Sequence, residues 1–158
     1  LCEYSRRHPS LVDAKLSYVP ESYASIAEAC KQRGYTTSNF SNFQTHANYR
    51  YLMSTDGSTI DDTRIYWMLA SGSLVFKQIP PLVPYGLPAL EPWTHFVPIR
   101  EDLADVIEQV RWARDNDDAC RAMAERARDF AREFFNQRHT VHYLQRILTR
   151  YDALLDKT

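Results

Sequence analysis

MSTDGSTIDDTRIYWMLASGSLVFKQ, residues 53–78, joins an apolar run, a turn rich in Gly, Ser and Asp, a short amphipathic stretch and a second apolar run. Residues 49–54 read as a strand, a short aromatic and apolar run that stops at turn-forming residues. Residues 55–62 are the turn. Residues 63–70 carry Ile65, Trp67, Met68 and Leu69 and suit a short helix buried against a sheet, ended by Ser71, Gly72 and Ser73. Residues 74–79 form a second strand. Strands alternating with a helix imply parallel pairing through a crossover, so the expected class is α/β, a small parallel sheet with flanking helices.

Downstream, PPLVPYGLPALEPW places five prolines in fourteen residues, too many for a helix or a central strand, and reads as a loop. Residues 95–99, HFVPI, read as a third short strand. After Arg100 the pattern is helical. Asp102 is placed to cap a helix whose Leu103, Val106, Ile107 and Val110 share one face. A second helix, capped by Asn116 or Asp117, aligns Met123, Ala127, Phe130 and Phe134; a third presents Val141, Leu144, Ile147, Leu148, Tyr151 and Leu154. Upstream, Pro20 and Gly34 bracket a first helix with Tyr23, Ile26, Ala27 and Cys30 at helical spacing, and residues 36–45 read as a polar loop anchored by Phe40 and Phe43. The chain is read as one unit over 1–158: an entry helix and loop (1–45), a strand, turn and helix segment (46–100) and C-terminal helices forming a helical tail (101–158).

The composition narrows the function classes. A chain of 158 residues with 44% hydrophobic and 25% charged residues can bury a core without staples. A net charge of −1 provides no chain-wide basic field for nucleic acid or an anionic membrane. The arginines of the last third, Arg111 to Arg150, are interleaved with acids, which reads as a solvated mixed face rather than a DNA-binding tail. Cys2, Cys30 and Cys120 are widely spaced and show no metal or redox motif. His8, His46, His139 and His142 show no metal-ligand spacing either. No apolar run is long enough for a transmembrane segment. The chain begins at Leu1 within LCEYSRRHPSLVDAKLSY, and reads as a piece of a longer protein.

Ligands of such sheets bind beyond the carboxyl ends of the strands, which places the turns at 56–62 and 78–84 on one rim. A helix start there offers unpaired N–H groups and a favourable dipole to an anion. Gly57 and Ser58 permit close approach of the backbone, Thr59 and Thr63 add hydroxyls, and Arg64 lies in the first helical turn with a planar fork of donors suited to phosphate. Two readings stand on the residues alone: Arg64 binds a diphosphate, or Asp61 or Asp62 caps the helix and pairs with Arg64. Lys77 ends the second strand, either within reach of the rim or as a solvated strand end. Asp61 and Asp62 do not make a catalytic acid pair, since adjacent side chains on a turn diverge. Trp93 reads as an anchor, and His95 has no partner visible in sequence to make it a base.

YRYLMSTDG, the following arginine, LASGSLVFKQ and EPWTHFVPIREDLADVIEQVRWARDNDD resemble the C-terminal half of the glycosyltransferase family 90 domain. That family includes lipopolysaccharide- and capsule-modifying glycosyltransferases and Rumi-type protein O-glucosyltransferases. The resemblance implies the Rossmann-like C-terminal lobe of a two-lobed GT-B enzyme, an inverting transferase of glucose or xylose from a UDP-sugar to a glycan, lipopolysaccharide or protein hydroxyl, with no metal or other cofactor. It implies donor contacts from Gly57, Ser58, Thr59, Asp62, Thr63 and Arg64, supported by Ser71, Ser73 and Lys77, and turns the reading of Arg64 toward the diphosphate. It also implies that the catalytic base belongs to an N-terminal lobe absent from this chain, leaving the piece inactive alone. Six residues separate Gly57 from Arg64, one more than the family pattern, and IPPLVPYGLP stands where an acidic and aromatic segment is expected. The competing class is a degenerate, non-catalytic interaction module; the compartment is left open.

Overall fold

The computed structural model describes residues 1–16, 21–35, 42–56, 64–79 and 89–155. Residues 57–63, which hold most of the turn expected at 55–62, and most of the proline-rich loop, 80–88, lie outside them. Three strands, β1 (Tyr51–Ser54), β2 (Leu74–Gln78) and β3 (Val97–Ile99), form a parallel sheet in the order β1-β2-β3. The expected α/β class holds in this respect. Seven α-helices accompany the sheet among the described residues: α1 (Cys2–Arg7), α2 (Ala24–Gln32), α3 (Phe43–Ala47), α4 (Arg64–Ala70), α5 (Val106–Asp115), α6 (Asp117–Phe134) and α7 (Gln137–Leu155).

Side-chain alternation along the strands divides the core in two. Leu52 of β1 and Val75 of β2 point to the face covered by Ile65, Met68 and Leu69 of α4, together with Ala127 and Ala131 of α6. Leu74 and Phe76 of β2, with Val97 and Ile99 of β3, point to the other face, against Val106, Val110 and Ala113 of α5 and Cys120 and Met123 of α6. The central strand is covered on both faces, which is why it reads as the unbroken run LVF.

Helix α6 reaches both clusters because it runs past the amino ends of the strands. Its Asp117 pairs with Arg50, just before β1. Arg126 Nε donates to the Thr94 carbonyl, before β3, at 3.0 Å, and the Arg128 side chain lies beside Gly72, before β2. The amino rim is thereby occupied by a helix, and the strands' carboxyl ends lie on the opposite rim.

Three local expectations change and one holds. The segment at 36–45 contains a helix, α3, whose Thr45 N–H donates to Asn42 Oδ1 at 3.0 Å, a side-chain cap. Residues 2–7 are helical although no periodicity marked them. Helix α5 begins at Val106 rather than after Asp102, because Asp102 Oδ1 accepts the Ala104 N–H at 3.1 Å and Leu103 turns to φ 60°. That local turn competes with helix for the same backbone. Trp93 serves as an anchor, edge-on to Trp112 with ring centroids 4.9 Å apart.

Candidate functional site

The carboxyl rim brings together the ends of all three strands and the start of α4. Register pairs Ser54 of β1 with Lys77 of β2. Since side chains two apart share a face, Lys77 stands on the α4 side with Val75. It has no exposed surface. Its Nζ lies 3.0 Å from Asp56 Oδ1, two residues beyond Ser54. Lys77 is thus neither a solvated strand end nor a group extended toward solvent; its ammonium is spent on Asp56.

Gln78, the next residue, bridges the strand ends in the other direction. Its Oε1 accepts the Asp56 N–H at 3.0 Å, and its Nε2 donates to the Glu101 carbonyl at 2.6 Å. Beyond it, the Ile79 N–H donates to the Ile99 carbonyl at 2.9 Å. Arg64 opens α4 and folds back toward β1, its Nη2 donating to the Thr55 carbonyl at 2.8 Å. A guanidinium with five donors is therefore anchored to the strand end beside Asp56. Around the turn after β3, Arg100 Nη2 lies 2.7 Å from Asp102 Oδ2, and the Arg100 N–H donates to Asp105 Oδ1 at 3.0 Å. An open depression of about 560 Å³ is lined there by Arg100, Glu101 and Asp102.

Of the residues singled out in the sequence, Arg64 and Lys77 converge on residues 55–56. Gly57, Ser58, Thr59, Asp62 and Thr63 lie outside the described residues. Ser71 and Ser73 are not brought to this rim. They stand before and at the amino end of β2, where Ser71 Oγ donates to the Met68 carbonyl at 2.6 Å and Ser73 Oγ to the Tyr49 carbonyl at 2.7 Å. The reason is the strand itself: Ser73 and Lys77 are four residues apart, roughly 13 Å of extended chain. The two hydroxyls shape the turn from α4 into β2, together with Gly72 at φ 83°. Asp56 and Gln78 were missed as site residues. Their signal was weak: both fall beside the predicted strand ends, but only the register shows that Lys77 and Gln78 meet Asp56.

His95 lies at the other end of β3. Its Nδ1 accepts the Glu91 N–H at 3.0 Å, its ring packs on Phe130, and burial holds its pKa below the ordinary value, Glu91 raising it and Arg126 lowering it further. It is a structural histidine remote from the rim. Among the described residues, no three His, Cys, Asp or Glu side chains come together to hold a metal ion, and no helix is long and apolar enough to cross a membrane.

The chain belongs to glycosyl transferase family 90, whose profile matches residues 1–158. That family is one of glycosyl-transferring enzymes. The chain is 30% identical over 151 residues to Protein O-glucosyltransferase 3 of Homo sapiens, covering 96% of this chain and 28% of that protein. It is 28% identical over 151 residues to Protein O-glucosyltransferase 1 of Homo sapiens, covering 96% of this chain and 37% of that protein. A stretch of 61 residues is 44% identical to Uncharacterized protein 035R of Invertebrate iridescent virus 3. The chain thus spans well under half the length of the two human relatives.

Proposed function

We propose that this chain supplies the donor-binding part of a glycosyltransferase that takes glucose from UDP-glucose to a protein hydroxyl, and that Arg64 binds the diphosphate. The observation that carries the reading is Arg64 itself, set at the first turn of α4 and tethered to Thr55 beside the carboxyl ends of β1 and β2. Glucose and a protein acceptor are favoured by the names of the relatives that align with 96% of the chain. A Rossmann-like lobe of a GT-B enzyme is the architecture that fits the parallel sheet and its open carboxyl rim.

As the sugar departs, charge gathers on the diphosphate, and a guanidinium held in place stabilises that charge without reorganisation. Amides at the helix start would add to it. The acceptor hydroxyl needs a base within hydrogen-bond reach, which the proposal assigns to polypeptide outside this chain. No metal has a part in this reading. Gly57, Ser58, Thr59, Asp62 and Thr63 remain the proposed loop contacts, whereas Ser71 and Ser73 act through the turn they build.

Calorimetric titration of UDP into this chain and into Arg64→Ala tests the reading. Saturable binding is expected, weakened in the variant by about 1.5–3 kcal/mol, the worth of hydrogen bonds to a charged group. Unchanged affinity in the variant would remove Arg64 from the site. Absence of UDP binding by the unsubstituted chain would favour the non-catalytic interaction module.

A further inference from the structure

Residues 55 and 56 are a node. Arg64 holds the Thr55 carbonyl, Gln78 holds the Asp56 N–H, and Lys77 holds the Asp56 carboxylate. Two consecutive residues of the central strand therefore grip one residue at the end of its neighbour, by side chain and by main chain, immediately beside the carbonyl to which Arg64 is tethered.

The Lys77 ammonium is costly where it is. It has no exposed surface, while Leu74, Val75 and Phe76, which precede it in β2, are all apolar and buried. The pair is buried at its lysine end while Asp56 keeps 21% of its side-chain surface, and because replacing buried ion pairs by apolar groups is often neutral or stabilising, core packing alone does not call for a lysine here. What the pair adds is direction. A charged hydrogen bond at 3.0 Å fixes Asp56 in one orientation, and with it the peptide that carries the Thr55 carbonyl.

We infer that Lys77 is a positioning residue for the donor site: through Asp56 it sets the strand end to which Arg64 is anchored, with Gln78 bracing the same residue from its main chain. The assignment rests on the donor reading above. In this assignment the buried Lys77 ammonium acts on the diphosphate through Asp56, Thr55 and Arg64.

UDP titration and thermal unfolding of the unsubstituted chain, Lys77→Met and the double variant Lys77→Met with Asp56→Leu test it. Lys77→Met removes the ammonium from Asp56, and is expected to lower both the melting temperature and UDP affinity, the latter by about tenfold or more, as loss of a charged hydrogen bond to the diphosphate does. The double variant removes both charges of the pair. Its melting temperature is expected to return toward that of the unsubstituted chain, while UDP binding stays weak. Binding restored together with stability would overturn the inference, as would unchanged affinity in a folded Lys77→Met chain. Where Lys77→Met does not fold, the double variant decides. Failure of the unsubstituted chain to bind UDP is a separate result, which would overturn the donor reading itself and this assignment with it.

Discussion

His95 shows how much a single side chain's protonation state depends on its setting. The ring accepts the Glu91 N–H through Nδ1, which a protonated imidazole cannot do, and it is packed on Phe130 at 5.0 Å between centroids. Burial is the largest cause of its lowered pKa; the neighbouring Glu91 opposes the shift and Arg126 adds to it. The unfolded chain therefore binds a proton more readily than the folded one. Stability from the neutral ring is complete above the unfolded value, about 6.5, and is lost as pH falls through the lower folded value. Melting temperatures recorded from pH 7.5 to 5 should decline over that window. His95→Asn, whose side-chain oxygen can accept the same N–H but does not titrate, should decline less steeply; an identical slope would remove His95 as the cause.

Among the elements, α6 and α7 differ in how they are held. Helix α6 buries Cys120, Met123, Ala124, Ala127 and Ala131, small and medium side chains that allow it close to the sheet edge and to α4. Helix α7 buries none. Val141, Leu144, Leu148, Tyr151 and Leu155 lie at alternating three- and four-residue spacing along it, and all are exposed. Its described link to the body includes the ring of His139 against Phe134, 4.3 Å between centroids. A chain ending at Asn136 should keep its cooperative unfolding and lose no more than about 1 kcal/mol, or roughly 2–4 °C in melting temperature. Loss of the cooperative transition would show that α7 belongs to the folding core.

For the whole molecule, the two core clusters lie on opposite faces of the same three strands, with α6 reaching both across the amino rim. A ligand bound at the carboxyl rim contacts the ends of these central elements, so its binding energy is felt by the entire fold. UDP at a hundredfold excess over its dissociation constant should add about 2.7 kcal/mol, raising the melting temperature by roughly 5–10 °C at 2–4 °C per kcal/mol. The Arg64→Ala chain at the same UDP concentration should show a much smaller rise. An equal rise in both would place UDP away from Arg64.

The sequence by itself determined the parallel α/β class, the three strands and the helix between the first two, and the long helices of the last third. These follow from local periodicity, since the apolar residues of each element recur with its own period and Gly72 and the prolines interrupt them. The family was legible as well, in LASGSLVFKQ and EPWTHFVPIREDL. Only the tertiary structure decided that Lys77 is buried against Asp56, that Gln78 joins three strand ends, and that Ser71 and Ser73 stand at the amino rim rather than the carboxyl rim. Local pattern says which face of a strand a residue occupies, but the partner across the sheet depends on register between segments some twenty residues apart in the chain, and register is set by packing of the whole core.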